Sequence, residues 1–166
     1  MQEVYESVRA VKDSIPAGKT ITLVGGSFDL LHIGHLRLLE YSKKLGDVLV
    51  VCVLSDANVK SHKGPSRPIV GEMYRADMVA ALRCVGRVYV SDIDTSHQNT
   101  LSIIQPNGVV FGIEDSEHWR EMAGKREQFI QTHFPNIKIY YLERFPDSTI
   151  STSGLIQKIL NSYDKD

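Results

Sequence analysis

His32 and His35 stand three residues apart in "GGSFDLLHIGHL" (25–36), directly after the apolar run "TITLV" (20–24). Side chains three apart share one face of a helix, so both imidazoles can project from one side of a first helical turn. A helix N-terminus offers unpaired N–H groups and the positive end of a dipole, which suits phosphate. Two imidazoles beside those N–H groups can stabilise charge that grows on a phosphoryl oxygen. Gly25 and Gly26 let the backbone pass close to a ligand and supply positive φ where a turn needs it. Plainer roles exist for the same residues: helix caps or core polar groups for the histidines, an ordinary turn for the glycines. A metal pair is a further alternative, but no nearby cysteine, third histidine or carboxylate pair completes a zinc set.

The elements that must position these residues are legible in the apolar pattern. Strand-like runs occur at 20–24, 47–54 ("DVLVVCVL"), 87–91 ("RVYVS"), 108–112 ("GVVFG") and 137–142 ("IKIYYL"). The second and fourth are nearly continuous apolar stretches, as expected of strands covered on both faces. Helical patterns lie between and after them, at 34–45, 72–83, 97–105, 116–133 and 152–163. Strand alternating with helix predicts an α/β fold: a doubly wound sheet of about five parallel strands with right-handed crossovers and helices on both faces. Ligands of such sheets collect beyond the carboxyl ends of the strands, near the switch in strand order, and residues 25–35 fall at that end of the first strand. An amphipathic stretch at 2–14, carrying Val4, Val8 and Val11, predicts a helical extension (1–18) ahead of a core over 19–163, within a single domain (1–166). The segment "SHKGPSRP" (61–68) reads as a mobile loop inside that domain.

Composition narrows the partners. The 166 residues carry a formal net charge of −1 with both signs interspersed, which argues against a nucleic-acid-binding surface. Cys52 and Cys84, the two cysteines, lie in apolar segments and read as buried free thiols of a reducing compartment. No run of 18 apolar residues occurs, and the N-terminal stretch lacks the apolar core of a signal peptide. The expectation is a cytoplasmic protein without membrane insertion.

The segment "GGSFDLLHIGHLRLLEYSKKLGDVLVV" resembles the nucleotidyltransferase superfamily that carries the HIGH motif, with Phe28, Asp29, His32, Gly34 and His35 in register with G-x-F-D-x-x-H-x-G-H. A second segment, "ISTSGLIQKI" (150–159), resembles the I-S-T-[ST]-x-x-I element of the cytidylyltransferases, and together the likeness covers roughly residues 20–160. The resemblance implies a Rossmann-like sheet and transfer of a nucleotidyl group to a phosphorylated alcohol, with pyrophosphate leaving. It implies His32, His35 and Lys63 as catalytic residues, the lysine closing over phosphates from its loop. Nucleotide contacts are implied for Gly25, Gly26, Ser27, Phe28, Gly34, Arg75, Gly112, Asp115, Arg144, Ile150, Ser151, Thr152 and Ser153. Lys63 as a solvated surface charge, Arg75 in a surface pair with Glu72 and Ser151–Ser153 as a simple N-cap are the plain alternatives. Asp29 is expected to fix the turn and the first helix rather than move a proton. Mg²⁺ would be bound through the nucleotide phosphates, with no dedicated protein site, and the family implies a homodimer.

Two branches compete for the nucleotide. "SDANVKSHKGPSRPI" and "RADMVAALRCV" resemble the adenylyltransferase domain of the ADP-heptose pathway, but that branch carries a lysine where Phe111 stands in "FGIED". The cytidylyltransferases of glycerol phosphate, phosphocholine or phosphoethanolamine have an apolar residue there and an arginine shortly before I-S-T, for which Arg144 is the counterpart, displaced by about two residues. The expectation from sequence therefore favours CTP over ATP. Acceptor recognition is expected in "EDSEHWREMAGKREQF" (114–129), where Trp119 faces the ligand or packs. A non-catalytic nucleotide-binding module on the same scaffold is the rival of another class, and it would require a lost motif residue. A tRNA-synthetase fragment would need K-M-S-K-S and a basic surface; a flavodoxin-like domain would need a phosphate loop or acidic cluster after the first strand.

Overall fold

Each of the five apolar runs becomes a parallel strand, and a sixth, very short strand joins them at one edge. In the computed structural model, which describes residues 3–113, 117–143 and 150–163, the chain runs β1 (Val4–Tyr5), α1 (Val8–Asp13), β2 (Ile21–Gly26), α2 (Ile33–Lys43), β3 (Val48–Leu54), α3 (Asp56–Lys63) and α4 (Glu72–Ala80). It continues with β4 (Arg87–Ser91), α5 (Gln98–Ile104), β5 (Gly108–Gly112), α6 (Glu117–His133), β6 (Lys138–Leu142) and α7 (Thr152–Tyr163). The sheet order is β1-β4-β3-β2-β5-β6, and every pairing is parallel. Leu23 of β2 thus faces Val50 on one side and Val109 on the other.

Alternation along these strands divides the apolar side chains between two faces. Val24, Val51, Val53 and Val110 join Leu39 of α2 and Ala76 and Val79 of α4 in one core. Leu23, Val50, Cys52, Tyr89 and Val109 join Val11 of α1, Leu101 and Ile104 of α5 and Ile130 of α6 in the other. Double coverage explains why β3 and β5 read as unbroken apolar runs. Both cysteines are free, Cys52 buried and Cys84 half-buried. No helix among the described residues is long and apolar enough to cross a membrane.

Two sequence expectations need correction. The N-terminal stretch is not helical from its start: Val4 and Tyr5 pair with Val88 and Tyr89 as an edge strand, and the helix begins only after Ser7, whose side chain accepts from the Ala10 N–H. Likewise "SHKGPSRP" is not loop throughout. Ser55 caps α3, accepting from the Asn58 N–H, and the helix runs to Lys63 before Gly64 ends it at φ 90°. Only Val59 of α3 is buried, too little apolar periodicity to signal a helix.

Candidate functional site

Because β3 lies on one side of β2 and β5 on the other, the strand order switches beside β2. Crevices at such switch points, beyond the carboxyl ends of the strands, are the usual ligand sites of open α/β sheets. Two connected lobes open there. A narrow lobe of about 170 Å³ lies between the N-termini of α2 and α7 and is lined by His32, Gly34, Ile150, Ser151, Thr152 and Ser153, among others. A wider lobe of about 400 Å³ extends toward α3 and α6 and is lined by Gly25, Gly26 and Phe28. Ser27, His35, Leu38, Lys63 and Gly112 line both, so they mark the junction.

The loop from β2 to α2 takes its shape from bulky residues rather than from its glycines. Positive φ falls on Phe28 (47°) and Leu30 (45°), a region that side chains with a Cβ adopt at a cost of roughly 1–3 kcal/mol. Gly25 and Gly26 are instead the last residues of β2. What Gly25 provides is close approach: a Cβ there would lie 2.6 Å from Cγ2 of Thr95. Burial of the Phe28 ring, 2% exposed, and the anchoring of Asp29 offset the strain.

His32 is the N-cap of α2, its Nδ1 accepting from the Gly34 N–H at 3.1 Å. His35 sits at the third helical position, and its Nδ1 accepts from the His32 N–H at 3.4 Å, closing a capping box made of two imidazoles. The rings stack with centroids 3.8 Å apart, and Phe28 lies 5.4 Å from His35. Gly34 makes room for this, since a Cβ there would sit 3.0 Å from the His32 ring. A neutral imidazole that accepts at Nδ1 carries its proton on Nε2. The cap role and a phosphate role therefore use different nitrogens of the same ring.

Burial, the neighbouring His32 and the Lys63 ammonium together push the His35 pKa from its ordinary 6.5 down to about 3. The unfolded chain binds a proton there near pH 6.5 while the folded protein resists it, so this group lowers stability progressively as pH falls from about 6.5 toward 3. NMR titration should show the His35 Cε1 proton without a protonation step above about pH 5. The acid-side decline in melting temperature should be shallower in His35→Gln.

Asp29 reaches further than the turn it was expected to fix. Its carboxylate, 0% exposed, accepts from the Ile69 N–H (2.9 Å), the Val70 N–H (3.0 Å) and Arg67 Nε (2.8 Å), and Arg67 Nη2 pairs with it at 2.7 Å. Burial raises its pKa, but the two backbone N–H groups and the guanidinium outweigh that and leave it below the usual carboxylate value. The Asp29 carbonyl accepts from the buried Thr152 hydroxyl at 2.7 Å, which ties the α7 start to the loop before α2. Ser151 caps α7, accepting from the Gly154 N–H at 3.0 Å.

Arg75 does not reach the cleft. Only 1% exposed and lining neither lobe, it donates to the carbonyls of Val70, Leu54 and Ser27 and to Asp56 Oδ1. Nor does it pair with Glu72, which accepts from the Asp56 N–H at 2.6 Å. Arg75 is a positioning residue that holds the ends of β2 and β3 from behind, in place of the direct nucleotide contact expected from sequence. Lys63, at the C-terminal end of α3, makes no hydrogen bond or ion pair with the described residues while lining both lobes. Asp115 and Arg144 lie outside the described residues. Arg67, Asn58, Asp94 and Arg126 were not singled out by sequence reasoning; Asn58 and Arg67 lay within "SDANVKSHKGPSRPI" and Arg126 within 114–129, whereas Asp94 carried no signal. Among the described residues no group of three histidine, cysteine or acidic side chains could hold a metal ion.

The family model described as Cytidylyltransferase-like matches residues 23–158. The chain is 34% identical over 148 residues to the bifunctional protein HldE of Syntrophotalea carbinolica, covering 89% of this chain and 28% of that protein. It is 42% identical over 149 residues to HldE of Geotalea uraniireducens, covering 90% of this chain and 29% of that one. The chain thus spans under a third of the length of these relatives. Among solved structures, the lipopolysaccharide core biosynthesis protein of Thermoplasma volcanium GSS1 superposes with a TM-score of 0.60 at 28% identity, over 77% of this chain and 99% of that one. The pantoate-beta-alanine ligase of Francisella tularensis gives 0.62 at 16% identity over 97% and 80%, a likeness of fold.

Proposed function

The chain belongs to the cytidylyltransferase-like family, and from that premise we propose that it transfers the adenylyl group of ATP to a sugar phosphate and releases pyrophosphate. The single observation that carries the reaction type is the junction of two helix N-termini with a pair of imidazoles whose Nδ1 atoms are both used as acceptors, at the mouth of a two-lobed cleft. The preference for CTP drawn from the sequence is not supported. The matched relatives are HldE proteins, of the ADP-heptose synthase type, at 34% and 42% identity, so the adenylyl branch is the better reading. Phe111, which had favoured the cytidylyl branch, is outweighed by the likeness along nine-tenths of the chain.

In this proposal the triphosphate enters the narrow lobe and the acceptor the wider one. An oxygen of the acceptor phosphate forms a bond to the α-phosphorus as the bond to the bridging oxygen breaks, and pyrophosphate leaves with the electron pair. The acceptor is already ionised, so no strong general base is required, and the protein contributes positioning and charge stabilisation. His32 and His35 donate from Nε2 to oxygens of the α- and β-phosphates. N–H groups of α2 and α7 and the Lys63 ammonium support the leaving pyrophosphate. Mg²⁺, which can be held largely through substrate phosphates and water, would reach this site on the nucleotide. Bound to the phosphates, it would neutralise their charge.

Pyrophosphate release with each of ATP, CTP, GTP and UTP, against mannose 1-phosphate, glycerol 3-phosphate and phosphocholine, tests the reading. Release that depends on ATP and a sugar phosphate is expected. CTP-dependent release with glycerol 3-phosphate would overturn it, and ATP binding without release would indicate a non-catalytic module. Lys63→Ala should weaken ATP binding roughly tenfold, the scale of one lost charged hydrogen bond, and change turnover less. Isothermal titration calorimetry checks this, and unchanged affinity would make Lys63 a surface charge.

A further inference from the structure

The wider lobe contains a cation held over an aromatic ring and given no anionic partner by the described residues. Arg126 of α6 is half-buried, and its guanidinium carbon lies 4.4 Å from the centroid of the Phe111 ring. It makes no hydrogen bond and no ion pair with the described residues. Its position on the wall of a cavity of about 400 Å³, within the usual range for small-molecule sites, makes it available to a ligand that supplies an anion. Its place over the Phe111 ring localises the guanidinium, and its N–H groups, unused by the described residues, can make bidentate contact with a phosphate. Phe111 directly precedes Gly112, one of the residues shared by both lobes, so the arginine stands beside the junction where the two substrates meet.

Resting on the proposed nucleotidyl transfer, we infer that Arg126 is a specificity-determining residue that clamps the phosphate of the acceptor, and that the acceptor is an anionic polyol rather than a phosphorylated amine. The rest of the lobe has the matching chemistry. Trp119 and Met122 form an apolar wall with Phe111, suited to the C–H face of a sugar ring. Asn58 and Asp94 bring polar groups to the same lobe, and Ser96 orients the Asp94 carboxylate through its N–H (2.7 Å) and hydroxyl (2.5 Å). A cationic head group would meet a guanidinium already on the face of Phe111, the ring that would otherwise attract it.

Arg126→Met keeps an apolar stem over Phe111 and deletes the charge; Arg126→Lys restores the charge without the fork. In pyrophosphate-release assays with mannose 1-phosphate, Arg126→Met should raise the acceptor KM roughly ten- to hundredfold. ATP affinity should be unchanged, and Arg126→Lys should recover the loss in part. An acceptor KM unchanged in Arg126→Met overturns the inference, as does tighter use of phosphocholine than of mannose 1-phosphate. Should the wild-type protein release no pyrophosphate at all, nucleotidyl transfer itself fails, and calorimetric titration of mannose 1-phosphate still decides the clamp. Binding that is lost in Arg126→Met upholds the arginine as a sugar-phosphate contact; binding that persists, or no binding to wild type, rejects it.

Discussion

His35→Ala is expected to lose about 10²–10³ in turnover, the usual consequence of removing one preorganised donor aimed at transition-state charge. The donor is preorganised because the ring cannot easily turn: its Nδ1 accepts from the His32 N–H, and it lies between the rings of His32 and Phe28. In the free protein its low proton affinity keeps the imidazole neutral, so in the proposed reaction it would enter as a hydrogen-bond donor from Nε2 rather than as a cation. The fold should survive. Alanine leaves one helix-start N–H without its side-chain acceptor, a cost of about 1 kcal/mol. Pyrophosphate release at saturating substrates, read beside the melting temperature, separates the two effects. A rate close to wild type in a folded variant would remove His35 from the chemistry.

The site was legible in the sequence where one residue type does one job in a local frame. The spacing of His32 and His35 fixed their shared face, and Ser151 before Thr152 marked the start of α7, because helix caps are written within four residues. The five main strands were legible because burial on both faces leaves unbroken apolar runs. What sequence could not provide were partnerships made through space. Arg75 lies 48 residues from the Ser27 carbonyl that it holds, and nothing local distinguishes it from an arginine facing a nucleotide. Val4 and Tyr5 show helical spacing with Val8, yet two backbone pairings with β4 decide their conformation. Gly64 and Pro65 make the sequence around Lys63 read as a loop, although those residues end a helix rather than exclude one. The positive φ values of Phe28 and Leu30 run against local preference, and their neighbours in space enforce them.

Asp29→Ala should be the most destabilising single change in the motif, at about 3–5 kcal/mol, because it strands a buried charge. Arg67 is only 8% exposed and its ion-pair partner is Asp29; the N–H groups of Ile69 and Val70 would lose their acceptor as well. Urea denaturation measures the loss. The double variant Asp29→Ala/Arg67→Met should recover part of it, since no unpaired guanidinium remains, and the cycle isolates the coupling between the two side chains. Strict additivity would mean that the pair contributes nothing beyond its separate contacts. The lowered Asp29 pKa gives a second signature: its stabilisation is complete above the ordinary carboxylate value near 3.8 and disappears as pH falls through the lower folded value, so the acid-side loss should be smaller in the variant. Function should suffer even at temperatures where the variant stays folded. Asp29 touches no proposed substrate atom, but its carboxylate holds the segment after Lys63 and its carbonyl holds Thr152 on the opposite wall of the narrow lobe. Slackening that link should raise the KM for ATP together with a fall in kcat, whereas loss of a direct phosphate donor, the role proposed for His35, should fall mainly on kcat.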